Sequence, residues 1–148
     1  MPGGIDFGGA IAPFQSYTPV LQGATDDPVP TYATRVGRYT QSGGLVVFFF
    51  SFTTTTMTKT TLTDQVRITL PVTAKNTSNQ IVQCNLRITN GTVVQNANLG
   101  LIQPNTGYIE AYQLPLDVAL TSFTYAVATG IGVLTNTITY QGSGFYEA

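Results

Sequence analysis

Between Leu45 and Phe52 the chain reads Leu-Val-Val-Phe-Phe-Phe-Ser-Phe, and few architectures can hold such a segment. Side chains of an extended strand alternate between two faces. Val46, Phe48, Phe50 and Phe52 therefore share one face, and Leu45, Val47 and Phe49 the other. A strand apolar on both faces needs cover on both, and left bare it belongs to the class of segments that aggregate. A two-layer sandwich covers only one face of each sheet. The second cover then comes from another subunit, or from a loop of the same chain folded over a central strand. We take the first as the expectation: an oligomer whose interface draws on Val47, Phe48, Phe49 and Phe50, through whichever face the core leaves free.

The rest of the chain agrees with a β fold. Charged residues make up 9% of the 148, against roughly 25% in an ordinary soluble domain. Threonine, present 25 times, supplies the polar surface instead; its branched Cβ favours extended backbone while its hydroxyl faces water. Strand patterns follow one another at Tyr17–Leu21, Tyr32–Gln41, Leu45–Thr55, Asp64–Leu70, Ile81–Thr89, Val93–Ile102, Tyr108–Leu114, Phe123–Thr129 and Val133–Tyr140. Ser42-Gly43-Gly44 and Asn90-Gly91 are hairpin turns by composition. No window repeats apolar positions at helical spacing. Eight or nine short strands in one domain, residues 17–148, predict an all-β fold: an antiparallel sandwich, a jelly roll or a barrel.

Residues 1–16 stand apart as an extended N-terminal arm. Gly and Pro break any helix there, yet four spaced apolar side chains remain: Ile5, Phe7, Ile11 and Phe14. A Gly-rich segment with apolar pegs orders by lying on another surface, so the arm is expected to dock.

Several functions lose support. A net charge of −1 gives no basic stripe for nucleic acid. No apolar run approaches a membrane span, and the start of the chain lacks the pattern of a secretion signal. There is no histidine, the commonest general base and metal ligand. A glycosidase pair would have to come from distant carboxylates such as Asp64 and Glu110, which read better as solvated surface groups. Cys84 falls on the apolar side of its strand, where a lone thiol acts as a small hydrophobe. Asp26-Asp27 offers too few oxygen ligands for calcium. Tyrosines 32, 39, 108, 112 and 125 lie within strand patterns, where packing is commoner than a sugar platform. No catalytic group, cofactor or metal is expected.

Several segments taken in order resemble a β-domain recurrent in virion surface proteins of tailed phages. They are Tyr17-Thr18-Pro19-Val20-Leu21, then Arg35-Val36-Gly37-Arg38-Tyr39-Thr40 before Gly43-Gly44 and the apolar strand. Val66-Arg67-Ile68-Thr69-Leu70-Pro71 with Ala74, Gly107-Tyr108-Ile109-Glu110-Ala111-Tyr112 and the ending Gly142-Ser143-Gly144-Phe145-Tyr146 follow. The resemblance implies a homotrimer on the outside of a virus particle. Because an arm rather than a repetitive shaft precedes the domain, it favours a capsid decoration, or cement, protein whose arm binds the major capsid protein. The alternatives are a receptor-binding tip of a tail fibre or spike that holds a host glycan, and a lectin-like carbohydrate module unconnected with viruses.

Overall fold

A computed structural model describes residues 12–25, 28–57, 65–76, 81–90, 93–95, 97–113, 126–127 and 137–148. Their strands are β1 (Gln15–Tyr17), β2 (Leu21–Gly23), β3 (Pro30–Ser42), β4 (Leu45–Met57), β5 (Val66–Thr69) and β6 (Val82–Asn90). The others are β7 (Val93–Gln95), β8 (Ala97–Ile102), β9 (Tyr108–Gln113), β10 (Ala126–Val127) and β11 (Ile138–Glu147). All join one antiparallel sheet in the order β1-β3-β4-β11-β6-β8-β9-β5-β2, with β7 beside β6 and β10 beside β9. The sheet curls into a half-barrel, so the all-β expectation holds.

Local chemistry explains the joints. Ser42 pairs with Leu45, which leaves Gly43-Gly44 as a two-residue hairpin loop, and Gly43 takes the positive φ of 59° that such a loop requires. Asn90 pairs with Val93, so β6 and β7 are antiparallel neighbours where the Asn-Gly sequence predicts a hairpin; residues 91–92 lie outside the described residues.

Two strand expectations are corrected. Tyr17–Leu21 is not one strand but the end of β1, a crossing segment and the start of β2, which lie at opposite ends of the sheet order. The crossing is fixed by Val20, whose amide donates to Thr69 Oγ1 at 2.9 Å and whose carbonyl accepts from the Thr69 amide at 3.0 Å. It also means that the arm, drawn to residue 16, gives way to strand at Gln15. The final strand, expected to stop at Tyr140, continues to Glu147 and lies between β4 and β6. Its glycines hid it. Gly142 and Gly144 face Phe50 and Phe48 in register, and the rings lean into the room that a side chain would fill.

The inner face of the curl is the core. Phe48, Phe50, Phe52, Tyr140 and Tyr146 form its aromatic half, each at most 2% exposed, and Val46, Leu21, Ile68, Ile88 and Ile109 pack in the same core. Phe52 stacks on Tyr140 with centroids 4.7 Å apart. Tyr146 ties the curl at one end, its hydroxyl donating to the Val72 carbonyl at 2.7 Å. Cys84 is buried here, as expected of a small hydrophobe.

One edge is partly open. β1 pairs only with Gly37–Tyr39 of β3, so residues 30–36 have no strand beyond them among the described residues. Register shifts at Thr31/Tyr32 and Tyr32/Thr34 kink that stretch, and the Arg35 guanidinium lies 4.2 Å from the Tyr32 ring centroid. Bulges and charges are common means of blunting a sheet edge.

Candidate interaction surface

Alternation sends every second residue of the central strands to the outer face. Cross-strand pairing sets them in rows: Arg38, Phe49, Ser143 and Asn85; then Thr40, Val47 and Phe145; then Ser42, Leu45 and Glu147. Phe49 is 43% exposed, Val47 38%, Leu45 46% and Phe145 63%. The segment before β1 reaches onto the same face. Thr40 Oγ1 donates to the Ala12 carbonyl, and the Phe14 ring packs on Phe49 with centroids 5.7 Å apart while staying 48% exposed. Phe14, Leu45, Val47, Phe49 and Phe145 thus form one apolar patch, with Val36 exposed one row away. Grouped exposed apolar side chains mark an interaction surface, whereas scattered ones need no explanation.

The four interface candidates divide between the faces. Phe48 and Phe50 point inward and are spent in the core; Val47 and Phe49 point outward and partly exposed. Of the arm residues, Phe14 lies on the patch, and Ile5, Phe7 and Ile11 lie outside the described residues.

Beside the patch, the outer face between β11 and β6 dips into an open hollow of about 580 Å³. Asn85, Arg87, Gln141 and Ser143 line it, and register sets Ser143 opposite Asn85 and Gln141 opposite Arg87. These groups can hydrogen-bond a polar ligand, and Phe145 stands at the adjoining hollow that shares Asn85 and Ser143.

Glu110 corrects a sequence expectation. It occupies an outward position on β9, yet it is 4% exposed rather than solvated. Arg67 Nη2 meets its Oε1 at 3.2 Å, while Gln103 Nε2 and the Tyr112 hydroxyl donate to Oε2 at 2.7 and 3.2 Å. The Arg67 guanidinium also lies 4.2 Å from the Tyr108 ring centroid. Burial pushes the Tyr112 hydroxyl above its ordinary pKa, and the neighbouring Glu110 adds to the effect. A carboxylate holding three donors is a structural hub. Register on β5, β8 and β9 is what assembles it: Arg67 opposite Glu110, Glu110 opposite Leu101. Asp64, its imagined partner, and Asp26-Asp27 lie outside the described residues, as does Tyr125.

Comparisons of the chain with protein-family models, with curated proteins and with solved structures find no match.

Proposed function

We propose that the chain is a structural protein of a virus particle: a trimeric decoration protein that clamps neighbouring coat subunits on the outside of a phage head. The observation that carries this reading is the outer apolar patch centred on Val47 and Phe49. It supports the reading because the core covers one face of the two-faced strand, and of the described residues only the short segment at Ala12–Phe14 reaches onto the other, leaving Val47 and Phe49 partly exposed. Closed oligomers with several weak contacts per copy suit a repeating shell, where multivalency multiplies small affinities.

Phe49→Asp tests the reading. Arg38 is the register neighbour of Phe49, so an outward carboxylate is tolerable in a lone protomer but not in a covered interface, where it would lose water without a full partner. Sedimentation should give a trimer for the parent chain and a folded monomer for the variant. A well-behaved parent monomer at micromolar concentration overturns the proposal.

The hollow between β11 and β6 favours a second reading, a fibre or spike tip that holds a host glycan between amide, hydroxyl and guanidinium groups. Copy number separates the two: hundreds per particle for decoration, a few per tail for a tip. Loss of cell binding in Asn85→Ala with Arg87→Ala would support the tip.

A further inference from the structure

The outer patch has a candidate cover in the same chain. The described chain begins at Ala12, whose carbonyl is held by Thr40, and Thr40 is the register neighbour of Val47 at the patch centre. Two residues on, Phe14 already rests on Phe49. The chain therefore enters this face directly from residues 1–11, which carry Ile5, Phe7 and Ile11 among glycines. Reach is ample: eleven extended residues span up to roughly 36 Å, and the three strand spacings from β3 to β6 come to about 14 Å. Glycines at 3, 4, 8 and 9 let such a segment lie close to a sheet.

We propose that residues 1–11 cover the outer face of β4 and β11 in the unassembled protomer, so that the arm and the neighbouring subunit compete for Val47, Phe49 and Phe145. This rests on the reading of that face as the assembly surface. Competition of this kind links two events. A subunit that takes the face displaces the arm, and a displaced arm is free to bind the shell. By the reciprocity of coupled equilibria, capture of the arm by the shell also strengthens trimer formation.

The test uses the full-length chain carrying Phe7→Asp and Ile11→Asp. Binding of an environment-sensitive apolar dye is measured at a concentration where sedimentation shows monomer. The parent should bind little dye, and the variant several-fold more. Adding Phe49→Asp to the variant should abolish the gain, which places the dye on this face. Equal dye binding by parent and variant overturns the proposal, as does a gain that survives Phe49→Asp. A parent that never trimerises defeats the decoration reading alone, since the dye measurement still decides whether the arm covers the face.

Discussion

A β-carbon placed on Gly142 would lie 2.4 Å from the Phe50 ring. The glycine is there for the ring: its missing side chain lets an aromatic stripe pack across β4 and β11 without a gap. Gly142→Ala must push Phe50 out of its place in a close-packed core, a kind of overpacking that typically costs about 1–3 kcal/mol. The midpoint of denaturant unfolding should fall accordingly, and an unchanged midpoint would show that the ring yields freely. Titration of buried groups gives a second residue-scale outcome. Burial pushes the Cys84 thiol from 9.0 up to about 12, and burial likewise pushes the Tyr146 hydroxyl from 10.0 up to about 12. Both hold their protons more tightly in the folded chain than in the unfolded one. Their contribution is therefore full below pH 9.0 and lost as pH rises toward about 12. Melting temperatures should fall as pH rises from about 9 toward about 12, with a shallower fall in Cys84→Ala; an equal fall in both proteins would remove the thiol from the account.

Across β5, β8 and β9 the informative element is the polar cluster on the outer side. Glu110→Gln keeps the shape but leaves Arg67 half-buried without its counter-charge, and should cost about 1–3 kcal/mol. Pairing it with Arg67→Met should recover part of that loss in a double-mutant cycle, whereas strict additivity would mean that the two side chains are independent. The sequence shows why this cluster was hard to foresee. Alternation in Tyr108–Gln113 correctly sends Glu110 and Tyr112 to the outer side, but burial there depends also on Arg67, which register brings in from β5, and on Gln103, which follows β8. Elsewhere, strands were legible where a local pattern suffices. Leu45–Met57 announces itself by its apolar run and Gly43-Gly44 by its turn chemistry. β11 was half missed because Gly-Ser-Gly reads as a loop, and only the facing rings of Phe48 and Phe50 make it a strand. The same limit applied to the interface candidates. Four consecutive apolar residues name a strand, but which two face outward is decided by the whole curl.

At the scale of the molecule, the described residues offer another chain the outer patch and, at one end of the sheet, the incompletely paired margin of β3. They are treated in opposite ways. The margin carries a kink and the Arg35 side chain, while the patch leaves Phe49 and Phe145 exposed on regularly paired strands, with Arg38 beside Phe49. That asymmetry bears on the size of what the chain can build. Strand-to-strand addition at a margin has no natural end, because each copy added offers a new margin to the next, and its product is a fibre. Contact through a face about a rotation axis exhausts itself, because the last copy to join meets the first and no sticky surface is left over. Kinking the one and baring the other therefore favours growth that terminates. A solution of such a protein should hold small objects of fixed stoichiometry even when it is concentrated.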